Sequence, residues 1–84
     1  MQRKHRKTLE RIYEDPLRSS ILWKDVESML QAMGAEISEG SGSRVRISYR
    51  DMRAVFHRPH PRKEASKGAV KSIRRFLNEA GVKP

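Results

Sequence analysis

Two histidines, His57 and His60, stand within a run of cations, His57-Arg58-Pro59-His60-Pro61-Arg62-Lys63. Imidazole is the side chain that ordinarily exchanges a proton near neutral pH. An RNA strand brings its own nucleophile in the 2′-hydroxyl. Cleaving it therefore needs one group to take a proton, one to give a proton, and cations to hold the phosphate. His57 and His60 beside Arg58, Arg62 and Lys63 fit that list. A solvated polar loop whose histidines do no chemistry fits the same spacing, and on spacing alone that plainer reading comes first. A His-x-x-His step interrupted by proline, with no Cys and no nearby carboxylate, makes a poor metal site. Neither metal nor cofactor is expected.

The cations form the larger pattern. Lys63, Lys67, Lys71, Arg74 and Arg75 lie on the approach to a C-terminal helix and along its outer side. Lys67, Lys71 and Arg74 or Arg75 are three or four residues apart and so project along one side of that helix. Arg44 and Arg46 alternate with apolar residues on a predicted strand, and Arg58 lies in the proline segment. Side chains of this kind contact phosphates, and phosphate contacts position a nucleic acid without reading its sequence. A-form RNA is recognised by shape and 2′-hydroxyl, which this set could serve.

The distribution of charge agrees. The chain has 84 residues and a net charge of +9. Residues 1–39 hold seven basic and seven acidic side chains, whereas residues 40–84 hold twelve basic and three acidic. An excess confined to one half of so small a chain points to a polyanionic partner, with RNA first and DNA or a ribosomal site as weaker readings. Other classes fall away. There is no Cys, so no disulfide framework and no thiolate nucleophile. The longest apolar run is Ile21 to Trp23, too short for a membrane span or signal core, and a cytoplasmic setting is the expectation. No Ser/His/Asp triad is evident, and Gly40-Ser41-Gly42-Ser43 lacks the following Lys and helix of a phosphate-binding P-loop.

The elements that must position these residues follow from periodicity. Leu9, Ile12 and Tyr13 predict a short helix from about Lys4 to Glu14, stopped by Pro16. Leu22, Val26, Met29, Leu30 and Met33 form one helical stripe ending at Gly34, with Trp23 bracing a small core beside it. The period then becomes two. Ala35 to Glu39, Arg44 to Tyr49 and Arg53 to His57 predict three strands joined by the Gly-Ser turn and by Arg50-Asp51, an antiparallel meander with one apolar face and one arginine-bearing face. Ala69, Ile73, Phe76, Leu77 and Ala80 predict the last helix, capped by Ser66 and closed by Gly81. The expected fold is α+β, two-layered, in the order α-α-β-β-β-α, with the helices on one face of a three-stranded antiparallel sheet. Residues 22–81 reproduce the α-β-β-β-α order of a double-stranded-RNA-binding domain.

The sequence resembles the HicA-type toxins of bacterial toxin–antitoxin pairs. The resemblance rests on a helix ending Leu30-Gln31-Ala32-Met33-Gly34, the Gly-Ser turn leading into Gly42-Ser43-Arg44-Val45-Arg46-Ile47, the segment His57-Arg58-Pro59-His60-Pro61, and a helix running from Lys67-Gly68-Ala69 to Ala80-Gly81. It covers residues 22–82, a HicA-like core within the single domain over 1–84 that the length allows, and leaves a basic helical extension at 1–18 atypical of the family. It also implies a double-stranded-RNA-binding-like fold, metal-independent cleavage of mRNA that stops translation, and neutralisation by a HicB-like antitoxin protein. The family's catalytic His directly follows the Gly-Ser of the turn, and Arg44 occupies that position here. Arginine stays protonated and cannot be a general base. The resemblance therefore implies one of two things. Either His57 or His60 supplies the proton chemistry while Arg44, Arg46 and Lys71 hold phosphate, or the protein is an RNA-binding module without cleavage activity.

Overall fold

The computed structural model describes residues 1–17 and 20–84. Its elements run α1 (Arg3–Ile12), α2 (Trp23–Ala32), β1 (Glu36–Glu39), β2 (Arg44–Tyr49), β3 (Met52–His57) and α3 (Lys67–Glu79). This is the expected α+β order, α-α-β-β-β-α. The expected end of the N-terminal extension at residue 18 lies outside the described residues.

The sheet is an antiparallel meander in the order β1-β2-β3. Tyr49 pairs with Met52, so Arg50 and Asp51 alone make the turn, with Arg50 in the left-handed region at φ 55°. The third strand therefore starts one residue earlier than its alternation suggests. Val45 and Ile47 of β2 and Phe56 of β3 are buried, while Arg44, Arg46, Arg53, Val55 and His57 on the opposite face are exposed. Strand alternation thus separates an apolar face from an arginine-bearing one, as predicted.

The helices complete one core beneath the apolar face. Val26, Met29 and Leu30 of α2 and Val70, Ile73 and Leu77 of α3 are each at most 2% exposed. Phe56 joins the layers, its ring 6.1 Å from that of Trp23 and 6.0 Å, edge-on, from that of Phe76. Trp23 is buried and its indole N–H donates to Glu27, so it braces the core as expected. Gly34 and Gly81, both with positive φ, follow α2 and α3, and the Ser66 hydroxyl accepts from the Ala69 N–H to cap α3.

Helix α1 ends two residues short of the predicted Glu14, but its apolar side is fully used. Leu9 and Ile12 lie in the same core as the other helices. Arg74 of α3 donates to the carbonyls of Ile12 and Glu14 at 2.8 Å each, and the Tyr13 hydroxyl donates to the Val82 carbonyl at 2.7 Å. Burial raises the Tyr13 phenol above its ordinary pKa, and the nearby Arg74 charge opposes that rise.

Candidate functional site

The site begins at the end of the sheet where β2 starts and β3 stops. Arg44 and His57 are direct cross-strand partners, followed by Val45 and Phe56, then Arg46 and Val55. Because Val45 and Phe56 point into the core, Arg44 and His57 both point outward. Facing residues on one side of an antiparallel pair have Cβ atoms about 5 Å apart. The turn before Arg44 is shaped to hold it there. Gly42 adopts φ +64°, and a Cβ on Gly40 would come 3.0 Å from the Arg44 Cβ, so a side chain at 40 would force Arg44 aside. The Arg44 N–H donates to the Ser41 carbonyl at 3.2 Å and its carbonyl accepts from Gly40 at 3.0 Å.

Past His57 the chain turns through the proline segment and forms one wall of an open cleft of about 680 Å³. His57, Arg58, His60, Arg62, Ser66 and Lys67 line it together with the acid Glu64, and Leu17, Pro59, Pro61, Ala65 and Ala69 give its apolar lining. The opposite wall is the start of α3, whose first turn carries Lys67 and no acid. A helix N-terminus presents unpaired N–H groups and positive potential, which adds to the cations already there.

The loop is fixed at several points. The Trp23 N–H donates to the Lys63 carbonyl at 2.9 Å, the Ala65 N–H to the Ile21 carbonyl at 2.8 Å, and the Arg58 N–H to the Ser43 carbonyl at 2.9 Å. Arg58 is the strongest tie. Its guanidinium donates to both carboxylate oxygens of Glu27, at 2.7 and 3.0 Å, and to Glu39 at 2.6 Å. The bonds to Glu27 first, and then to Glu39, push the Arg58 pKa still further above its ordinary value. The bond from Arg58 in turn holds the Glu39 carboxyl below its usual range.

The predicted cations therefore separate into two groups. Arg44, Arg46, Lys67, Lys71 and Arg75 are exposed about the sheet face and α3. Lys71 and Arg75 flank a groove of about 420 Å³ between β3 and α3, with Arg53 on its other side. Lys63 is exposed but is not among the cleft-lining residues. Arg58 and Arg74, both expected to face a nucleic acid, are engaged within the fold. Arg58 continues the inward alternation of Phe56 and meets Glu27 and Glu39, while Arg74 borders the α3 face that receives α1. Among the described residues, no three His, Cys, Asp or Glu side chains gather where they could hold a metal ion.

Three participants were not singled out from sequence. Arg53 shares the outer sheet face with Arg46, and alternation within β3 would have found it. Glu39 falls opposite Val45 on the apolar face. An acid in that position signals a basic partner. Glu27 carries no such signal, since its partner is 31 residues away.

Fold and surface together define a class: a small two-layer α+β module with one open sheet face that carries exposed arginines of β2 and β3. The chain belongs to the HicA family, since the family model described as the HicA toxin of bacterial toxin–antitoxin systems matches residues 23–82. It is thus a toxin-family protein of a system whose other member is an antitoxin. No curated protein and no solved structure matches the chain significantly. Among the described residues, no helix is long and apolar enough to cross a membrane.

Proposed function

We propose that this chain is an RNA-directed toxin that cleaves mRNA in the cytoplasm without metal, and that His57 has taken over the proton chemistry from the position of Arg44. The observation that carries this reading is the direct pairing of Arg44 with His57 on the exposed sheet face. Neutral His57 accepts the proton of an RNA 2′-hydroxyl as its oxygen attacks the adjacent phosphorus. Arg44, permanently charged, stabilises the negative charge that builds on the non-bridging oxygens. The bond to the 5′-oxygen breaks, and that oxygen takes a proton from protonated His60, which lines the same cleft as His57. The products are a 2′,3′-cyclic phosphate and a 5′-hydroxyl, so protons and bonds balance. Arg46, Lys67, Lys71 and Arg75 hold flanking phosphates. A HicB-like antitoxin would neutralise the protein by covering this basic face.

A second reading has its own observation. Arg44 stands where the family's catalytic His belongs, which favours a module that binds RNA and leaves it intact. Expression of the protein alone decides between them. Under the first reading growth stops, His57→Ala and His60→Ala each relieve the arrest, and Arg44→Ala weakens RNA binding. Unchanged toxicity in both histidine variants removes the catalytic reading. Continued growth, with RNA bound but not cleaved, supports the second.

A further inference from the structure

Helix α1 lies outside the matched residues 23–82 and takes no part in the cleavage proposed above. Its sequence, Arg3-Lys4-His5-Arg6-Lys7-Thr8-Leu9-Glu10-Arg11-Ile12, holds five basic side chains and one acid. All five cations are exposed. A basic terminus that only aids solubility has no need of a fixed conformation. This one is fixed, by Leu9 and Ile12 in the core, by both bonds from Arg74, and by the bond from Tyr13 to Val82. Arg3, Lys7 and Arg11 repeat every four residues and so form one row along the helix.

Beside that row, between α1 and α2, lies a recess of about 200 Å³. Lys4, His5, Lys7, Arg11 and Ser28 line it, with Asp25 as its one acid. Thr8 at its rim is occupied, its hydroxyl donating to the Lys4 carbonyl. His5 is 8% exposed and forms part of the recess wall. Among the described residues no buried side-chain nitrogen or oxygen lacks a partner, so an unpaired ring nitrogen of His5 opens to solvent, where the imidazole shares the recess with three cations.

We infer that α1 and the recess beneath it form a second phosphate-binding surface, on which a backbone phosphate of RNA is held by Lys4, His5, Lys7 and Arg11. The inference rests on RNA being the molecule this protein engages. A row of cations continuing past a phosphate-sized recess suits a strand that repeats its charge, because one phosphate occupies the recess while its neighbours meet Arg3 and the outer row. The opposite-face cations about β3 then hold a different stretch of the same or another strand.

The test uses the full chain and a labelled single-stranded RNA made uncleavable by 2′-O-methylation, with affinity read by fluorescence anisotropy across a salt series. Lys7→Gln/Arg11→Gln, both at exposed positions, should weaken binding about tenfold, and removing two phosphate contacts should flatten the salt slope by about 1.4. Asp25→Asn should tighten binding about threefold by removing the one repulsive charge. The His5 ring resonances should move on adding the RNA. Unfolding curves confirm that each variant is folded. Wild-type affinity and slope in the double variant, with binding still lost in Arg44→Ala/Arg46→Ala, overturn the second surface and leave the first. Movement of the His5 signals with inorganic phosphate but not with RNA overturns it in favour of a free-phosphate site. Absence of any RNA binding by the wild-type chain sinks the parent reading instead.

Discussion

An arginine facing a histidine divides between two side chains the tasks that one imidazole can share, because only His57 can accept a proton at neutral pH. The two positions nevertheless occupy one patch of surface, which makes them exchangeable in principle. His57→Ala should abolish cleavage of a labelled RNA, and Arg44→His in that background should restore part of it from the opposite strand. No recovery despite intact RNA binding would place the proton transfer elsewhere. Much of this pair was legible in advance. Alternation put Arg44 on the outer face, and a two-residue turn at Arg50-Asp51 fixes which residues face each other in the hairpin. The ties of Arg58 to Glu27 and Glu39 are not legible in the sequence, although alternation with Phe56 already turns it inward. The proline that follows makes the segment look like solvent-exposed loop, and the carboxylates that receive Arg58 come from α2 and β1.

Among the elements, α2 and α3 were the most readable, since their apolar stripes and terminal glycines agree with each other and with the Ser66 cap. Helix α1 was readable as a helix but not as part of the core. Its attachment depends on Arg74, whose partners are carbonyls 62 and 60 residues away, and backbone carbonyls leave no mark in a sequence. Arg74→Met should cost about 2 kcal/mol by removing two charge-assisted hydrogen bonds and stranding their acceptors. In a domain of this size that corresponds to a fall in Tm of about 10 °C. Thermal unfolding followed by circular dichroism measures it, and an unchanged Tm would mean that Leu9, Ile12 and the Tyr13–Val82 bond suffice to hold α1 in place.

For the molecule as a whole, with its net charge of +9, Arg58 joins α2, β1 and the proline segment through two carboxylates. Arg58 depresses the Glu39 pKa, so the carboxylate contributes its stability above the ordinary carboxyl pKa and loses it as pH falls through the lowered value. Wild type should therefore exceed Glu39→Gln in urea-unfolding stability at neutral pH, and the gap should close in acid. A gap that persists at low pH would assign the difference to packing instead of charge. The cleft at the end of β3 has a further consequence for synthesis. One wall belongs to the sheet and the proline segment, and the other to α3, which the ribosome makes last among these elements. A growing chain that has reached residue 66 already carries both imidazoles and the facing arginine but has only half a cleft. The cleft is complete only once Lys67–Glu79 has emerged and folded back.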